Sequence, residues 1–293
     1  MLSFVVCSVD AGKFAAFRRS LAACAGGDDV EVVGVHDARS LCGGWTDGLR
    51  RAKGDPVVFC HDDIGFVMAD LPTRILRHLE RLDIVGVAGT DRCAGGDWSE
   101  AGIEHAYGAI VHDRGVGPLF CFYGAGADAG SDAVGGIVSM DGVFLAARRD
   151  AAERIGFDAA TFDGWHGYDA DFTFRAHLAG FRLGVALDLP IAHRSAGSAD
   201  ETRLRYHLRF ADKHAARLAT GRGPWVDLRL PIVVPDGIAA AFDRANLDRL
   251  HARTRDEAKR RREAAGQPYA AGRNDPCPCG SGWRYKECPG AAR

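Results

Sequence analysis

The chain has 293 residues, of which 47% are hydrophobic and 26% are charged, and its formal net charge is −2. This length and apolar content allow a full hydrophobic core, which excludes an intrinsically disordered protein. The near-zero net charge argues neither for nor against nucleic acid, and we expect no such partner. No apolar run approaches the roughly 20 residues that span a bilayer, so we expect no transmembrane segment.

The nine cysteines are distributed unevenly, with six scattered along the chain and three near the C-terminus. An odd number of scattered cysteines is typical of a reducing compartment rather than of a disulfide scaffold. The apolar start Met1–Val9 lacks a preceding basic region and is short for a signal peptide. We therefore expect a cytoplasmic protein.

The first part of the chain alternates between apolar runs typical of buried strands and segments with helical spacing. The strands are predicted at Leu2–Val9, Val30–Val35, Pro56–Cys60 and Ile84–Val87, and the helices at Lys13–Cys24, Leu41–Ala52 and Asp70–Leu82. This alternation predicts an α/β fold, with a parallel sheet flanked by helices. Right-handed crossovers place the carboxyl ends of such strands at one edge, where ligands bind.

The middle of the chain is less regular. Residues 88–136 are rich in glycine and lack sustained periodicity, which predicts a long, loop-rich segment. Ile137–Ala147 is predicted as a strand interrupted at Asp141-Gly142, and Asp150–Ile155 as a short helix. A helix that stops at Gly180 and a strand at Phe181–Leu187 follow.

The last third changes character. Ala199–Ala219 is predicted as an amphipathic helix, Pro224–Pro235 as an extended segment, and Ile238–Ala264 as a long helix. The later part of that long helix is very polar, which is typical of a solvated spacer.

Polar and aromatic side chains are concentrated around the start of the helix that ends at Gly180. They are Asp163, Trp165, His166, Tyr168, Asp169 and Asp171. The helix dipole explains a single carboxylate at this position, but a set of this kind fits a polar site with aromatic walls. Trp165 and Trp98 are candidate platforms for a sugar or a base, with simple packing as the alternative.

A candidate metal site lies at two predicted strand ends. His61, Asp62 and Asp63 directly follow a buried strand, and His193 follows the apolar run Leu189–Ala192. A solvated turn explains the first group alone, because aspartate favours turns. Together with His193, however, the group can hold Mg²⁺ or Mn²⁺, and Asp169 nearby can serve as a base.

Four stretches resemble GT-A-fold glycosyltransferases of the family-two type. More narrowly, they are similar to a glycosyltransferase-like group that includes a streptomycin-biosynthesis-protein-type domain. The stretches are Gly54–Phe66, Ile84–Gly89, Ser139–Arg149 and Phe162–Ser195. The resemblance implies a GT-A domain with a mostly parallel sheet over residues 1–198, followed by a helical extension over residues 199–270.

The resemblance also assigns residues to the metal and to the catalytic base. Asp63 matches the second acid of the family's D-x-D metal motif, and His61 stands in place of the first acid. His193 matches the family's metal-binding histidine. Asp169 matches the second acid of the motif that supplies the base, and Tyr168 stands in place of the acid before it.

The remaining assignments concern the two substrates. Asp37 matches the nucleotide-recognising aspartate, and we assign Asp62 to the nucleotide as well. Asp141 lies where such enzymes line the sugar or acceptor site. Three further residues are assigned to that site: Trp98, Trp165 and His166.

The reaction implied by the resemblance is the transfer of a sugar from a UDP- or GDP-linked donor to an acceptor hydroxyl. The implied cofactor is Mn²⁺ or Mg²⁺, and the implied stereochemistry is inversion in a single displacement. Two alternatives stay open. One is a nucleotidyl- or phosphotransferase on the same fold, and the other is an inactive nucleotide-sugar-binding adaptor.

The last residues, 271–293, form a separate cysteine-containing tail. Cys277, Cys279 and Cys288 have a spacing that can hold Zn²⁺ and fold a segment too small for its own core. The tail resembles the SEC-C motif, which implies a small zinc-ribbon-like unit that contacts a protein partner. Pro289 stands where the motif has its fourth ligand, so zinc needs another donor. Three free thiols are the alternative.

Overall fold

The computed structural model describes residues 1–25, 29–66, 70–102, 105–113, 118–123, 131–194 and 201–220. The predicted extended segment 224–235, the predicted helix 238–264 and the cysteine tail 271–293 lie outside these residues. Their structures, and the domain boundary at 270, therefore stay predictions.

The predicted strands and helices of the first part of the chain are present, with small shifts at their ends. They are β1 (Leu2–Cys7), α1 (Ala11–Cys24), β2 (Val30–Val35), α2 (Leu41–Arg51), β3 (Val57–Cys60), β4 (Ile64–Phe66), α3 (Leu71–Leu79) and β5 (Ile84–Gly86). Asp10 starts α1 by accepting hydrogen bonds from the backbone of Gly12 and Lys13, at 2.8 and 3.0 Å. The short strand β4 was not predicted.

The prediction of a loop-rich segment over residues 88–136 is wrong for much of its length. The segment contains β6 (Ala88–Thr90), a 3₁₀ turn (Trp98–Ala101), β7 (Ala106–Asp113), β8 (Pro118–Tyr123) and β9 (Ala133–Gly135). Several of these strands have only three residues, too few for an alternating pattern to be visible. Their positions are set by pairing with strands that are distant in sequence, which local patterns do not encode.

The second part of the chain completes the fold with β10 (Ser139–Met140), β11 (Phe144–Ala147), α4 (Arg149–Ile155), α5 (Tyr168–Leu178), β12 (Leu183–Ala186), β13 (Ile191–His193) and α6 (Glu201–His214). The predicted interruption at Asp141-Gly142 separates β10 and β11, which belong to different sheets. Gly180 follows α5 with a φ of +84°, a conformation that favours glycine at a helix end.

The main sheet has seven strands in the order β2-β1-β3-β11-β5-β12-β9. Strand β11 is antiparallel to both of its neighbours and β9 is antiparallel to β12, whereas the other pairs are parallel. Five of the seven strands therefore run in the same direction, as predicted for a mostly parallel sheet. A smaller sheet has the order β10-β6-β7-β13-β4, with β8 paired to β7.

Both faces of the main sheet are covered. In β3, Phe59 packs against Trp45 of α2, with ring centroids 5.4 Å apart, whereas Val58 belongs to a second apolar cluster that includes Phe17 of α1. All four residues of β3 are buried. This strand is thus a rigid support for the polar residues that follow it. Among the described residues, no helix combines the length and hydrophobicity required to cross a membrane.

Candidate active site

The pairing of two short strands brings the distant polar residues together. His61 follows β3, and its backbone nitrogen donates to the carbonyl oxygen of Val143 at 3.2 Å. Strand β4 then pairs antiparallel with β13, which sets His193 opposite Ile64. The backbone nitrogen of Arg194 donates to the carbonyl oxygen of Asp63 at 3.1 Å. The loop after β3 and the end of β13 therefore share one edge of the fold.

His61, Asp63 and His193 form a compact group that we call the triad. Asp63 Oδ1 lies 3.4 Å from His193 Nε2 and 3.9 Å from His61 Nδ1. One potential ligand atom from each residue lies within 4.8 Å of the others. Two imidazoles and one carboxylate fit a divalent transition-metal ion, because imidazole suits such ions and carboxylate suits Mn²⁺.

The surroundings of His61 favour the neutral form of its ring, which is the form that binds a metal ion. Burial of the ring, and then the neighbouring His193, lower the pKa of His61. A neutral imidazole keeps a lone pair on one nitrogen, which ligation requires. The residues predicted to bind the metal are thus together and able to act as ligands.

Asp62 points away from the triad. Its Oδ2 accepts a hydrogen bond from Ser8 Oγ at 2.6 Å, directly beyond the end of β1. The carbonyl oxygen of Ser8 lies 2.8 Å from Nδ1 of His36, in the loop after β2. Asp37 is the next residue and is exposed. The two residues assigned to the nucleotide thus follow β2 and β3, the strands on either side of β1 in the main sheet.

Asp169 is held at the start of α5. Its Oδ2 accepts a hydrogen bond from the backbone nitrogen of Gly142 at 2.8 Å. Burial, and then the nearby Asp141, raise the pKa of the Asp169 carboxyl from 3.8 to about 7. A carboxyl group with a pKa in this range is suited to take up a proton at neutral pH.

Asp141 is fixed by two donors. Its Oδ1 accepts from the backbone nitrogen of Val143 at 2.9 Å, and its Oδ2 accepts from the indole nitrogen of Trp98 at 3.1 Å. Trp98 is only 6% exposed. The indole of Trp98 therefore orients Asp141 through this hydrogen bond. A stacking platform would need an accessible ring face, which a side chain this buried does not offer.

The sequence did not predict the contact between Tyr168 and the triad. The hydroxyl oxygen of Tyr168 lies 2.6 Å from Nε2 of His61, and the side chain is buried. A Cβ on Gly142 would lie 2.4 Å from Tyr168 Cε2, so this glycine permits the close approach. A signal was present in the sequence, because His61 and Tyr168 both stand where the family pattern has an acid.

The other residues around the start of α5 divide into two groups. Trp165 is 48% exposed and available as a wall of the site, and His166 is half-buried with its ring 6.1 Å from that of Tyr206. Asp163 and Asp171 instead hold α6. Asp163 accepts from Tyr206 at 2.9 Å, and Asp171 lies 2.9 Å from His214.

Residues 3–213 match the model of the glycosyltransferase-like family. The chain belongs to this family. The predicted α/β fold, with helices on both faces of the main sheet, is present. The matched residues include the triad, Asp141 and Asp169.

Three solved structures are similar to this chain. The mannosyltransferase PcManGT from Pyrobaculum calidifontis, in complex with GDP-Man and Mn²⁺, is 12% identical with a TM-score of 0.47, covering 91% of this chain and 76% of that chain. GalNAc-T7 with UDP, GalNAc and Mn²⁺ is 10% identical with a TM-score of 0.46, covering 72% and 47%. S. aureus TarS 1-349 is 13% identical with a TM-score of 0.41, covering 93% and 94%.

The C-terminal tail has its own match. Residues 273–288 match the SEC-C motif, as the sequence resemblance predicted. In addition, 31 residues are 64% identical to the protein translocase subunit SecA of Myxococcus xanthus (strain DK1622), covering 11% of this chain and 3% of that protein. The chain therefore spans 3% of this SecA and 47% of the GalNAc-T7 chain.

Proposed function

We propose that this glycosyltransferase moves a sugar from a UDP- or GDP-linked donor to an acceptor hydroxyl, using Mn²⁺ or Mg²⁺ held by the triad. One observation carries the proposal. The triad and Asp169 lie around a common edge and are linked by the 2.6 Å contact between Tyr168, which precedes Asp169, and His61.

The donor is expected to lie along the carboxyl ends of the strands. His61, Asp63 and His193 would hold the metal ion. When bound, the ion supplies positive charge that stabilises a diphosphate leaving group. Asp37 and Asp62, which follow β2 and β3, would contact the nucleotide.

Asp169 is proposed as the general base. It takes the proton of the acceptor hydroxyl as the acceptor oxygen bonds to the anomeric carbon. The bond from that carbon to the phosphate oxygen breaks, and a nucleoside diphosphate leaves. Attack from the opposite side in one step inverts the anomeric centre. Asp141, Trp165 and His166 line the sugar or acceptor region, with Trp98 supporting Asp141.

A second proposal concerns the tail and the compartment. We infer that Cys277, Cys279 and Cys288 hold Zn²⁺ and that the tail contacts a protein partner, which the SEC-C match supports. We also infer a cytoplasmic location. The buried thiols of Cys42, Cys60 and Cys93 support it, since such thiols persist in a reducing compartment.

The test of the proposed reaction begins with donor binding. The full chain is screened by thermal shift against UDP- and GDP-sugars, with Mn²⁺, with Mg²⁺ and with a chelator. A true donor raises the melting temperature by mass action, and the increase should require the metal. The product of a positive reaction is then identified. Release of a nucleoside diphosphate supports sugar transfer, whereas release of pyrophosphate would indicate a nucleotidyltransferase.

The variant Asp169→Asn separates binding from chemistry. It should lower the transfer rate by about 10²- to 10⁴-fold, the range attributed to general bases, and keep the thermal shift with donor. Asp150→Asn is the matched control, since Asp150 is an exposed acid in the first turn of α4. Unchanged turnover in Asp169→Asn would remove Asp169 from the base role.

A further inference from the structure

Tyr168 connects the start of α5 to the triad. Its hydroxyl oxygen lies 2.6 Å from His61 Nε2, a short hydrogen-bond distance. The phenol ring is fixed on both sides, because it meets Trp45 edge-on at 4.9 Å between centroids and approaches Gly142 closely. The hydroxyl therefore has a defined position relative to His61.

The two nitrogens of a neutral imidazole have different roles. One carries a hydrogen and donates it, and the other has the lone pair that binds a metal ion. In His61 the nitrogen nearer to Asp63 is Nδ1, at 3.9 Å from Oδ1. Nδ1 can act as the ligand only when Nε2 carries the hydrogen, and the atom positioned to accept that hydrogen is the Tyr168 oxygen.

The phenol suits this task. Its hydroxyl is buried beside His61, and a phenol oxygen has lone pairs that can accept a hydrogen bond. Metal-binding histidines generally donate their second nitrogen to a fixed acceptor, which sets both the tautomer and the ring orientation. Tyr168 has the contact and the rigidity of such an acceptor.

We propose that Tyr168 is a positioning residue for the metal. Its oxygen accepts the Nε2 hydrogen of His61 and thereby directs the Nδ1 lone pair towards an ion beside Asp63 and His193. The inference rests on the proposed function only in assigning the metal to the triad. It makes no use of the sugar, the acceptor or the rate of transfer.

The first experiment measures Mn²⁺ binding by the full chain without donor, from the loss of the free-ion signal in electron paramagnetic resonance. Tyr168→Phe keeps the ring and removes the hydroxyl, and it should raise the Kd for Mn²⁺ by about 10- to 100-fold. Tyr107→Phe is the matched control, since Tyr107 is also buried and its hydroxyl bonds a carboxylate, that of Asp91, at 3.0 Å. Its Kd should equal that of the wild type.

The Kd values for Mn²⁺ separate the role of Tyr168 from the assignment of the metal to the triad. Equal Kd values for the wild type and Tyr168→Phe would overturn the role of Tyr168 and leave the triad as the metal site. A wild type that does not bind Mn²⁺ would overturn both. In a His61→Asp background no imidazole remains to be oriented, so Tyr168→Phe should then leave the Kd unchanged. An equal loss in both backgrounds would contradict the proposal.

A second measurement uses the wild type and so does not depend on the folding of a variant. Correlation spectra of ¹⁵N-histidine side chains in the metal-free full chain report which nitrogen carries the hydrogen. The His61 signal is identified by its absence in His61→Asp. We expect the hydrogen on Nε2, and a hydrogen on Nδ1 would refute the proposed role.

Discussion

The Asp169 carboxyl illustrates how one residue couples chemistry to stability. Burial and Asp141 disfavour its charged form, whereas the hydrogen bond from the Gly142 nitrogen favours it, and the net effect raises the pKa to about 7. A base with such a pKa is effective near neutral pH. The same shift has a cost for folding, because the charged carboxylate is less stable in the folded protein than in the unfolded chain.

This cost predicts how stability depends on pH. The folded pKa lies above the unfolded value of 3.8, so the folded protein holds an extra proton between about pH 4 and about pH 7. The contribution of Asp169 to the free energy of unfolding is therefore present at low pH and is lost as the pH rises through about 7. Asp169→Asn cannot ionise and should lack this loss.

The measurement is urea unfolding of the metal-free protein at about pH 5 and about pH 8. The stability of Asp169→Asn relative to the wild type should be greater at the higher pH. Asp150→Asn, with its exposed carboxylate, should show no such change. A constant difference between Asp169→Asn and the wild type at both pH values would mean that Asp169 does not titrate as stated.

Also at the scale of residues, the sequence predicted that the triad residues lie close together, but it did not predict the contacts that hold the site in place. Strand ends share an edge in a parallel sheet, so a histidine and an aspartate after separate strands can be placed together from pattern alone. The contact of Tyr168 with His61 depends on a close approach that Gly142 permits. Trp98 is buried in an apolar cluster, with its indole nitrogen donating to Asp141. Such contacts follow from three-dimensional packing and have no local pattern.

Among the elements, α6 shows how ion pairs attach a helix to the fold. Phe210 of α6 is fully buried in the same apolar cluster as Phe174 of α5. Beside them, Asp171 is 1% exposed and pairs with Lys213 at 2.6 Å and with His214 at 2.9 Å. Loss of the partners of a buried carboxylate destabilises the folded protein strongly. Loss of the carboxylate from beside its partners has a similar effect.

We expect Asp171→Ala to lower the free energy of unfolding by about 3 kcal/mol, because it leaves Lys213 and the buried His214 without the carboxylate that they contact. Asp47→Ala is the control, since Asp47 is 50% exposed and pairs with Arg51 one turn away in α2. Its change should stay within about 0.5 kcal/mol. Chemical denaturation measures both values. Equal effects of the two variants would show that the Asp171 network does not attach α6.

The helices and strands differ in how well the sequence predicts them. The long helices and the fully buried strands were predicted because their apolar residues recur with a clear period. Much of the smaller sheet was missed because β4 and β6 have three residues each and β10 has two. Strand β6 obtains its position by pairing with β10 and β7, from different parts of the chain. Its structure is therefore a property of the assembled fold.

On the scale of the whole molecule, the chain combines a region of the glycosyltransferase-like family over residues 3–213 with a SEC-C motif at residues 273–288. The two parts use metal ions for different purposes in our proposals. Two imidazoles and one carboxylate would leave positions on a bound ion for a substrate, whereas three thiolates suit a structural zinc ion. Metal content therefore tests the two-part organisation directly.

We expect the full chain, purified under reducing conditions, to retain about one zinc ion per chain through its thiolates. Cys288→Ser should lose this zinc, since two thiolates hold zinc far less tightly than three. Cys7→Ser is the control, because Cys7 is a half-buried thiol in β1, and burial raises its pKa to about 12, which disfavours the thiolate that zinc requires. His193→Ala is measured in parallel, so that zinc bound at the triad is counted separately. Zinc content that is unchanged in Cys288→Ser but reduced in His193→Ala would place the ion in the catalytic part and leave the tail as three free thiols.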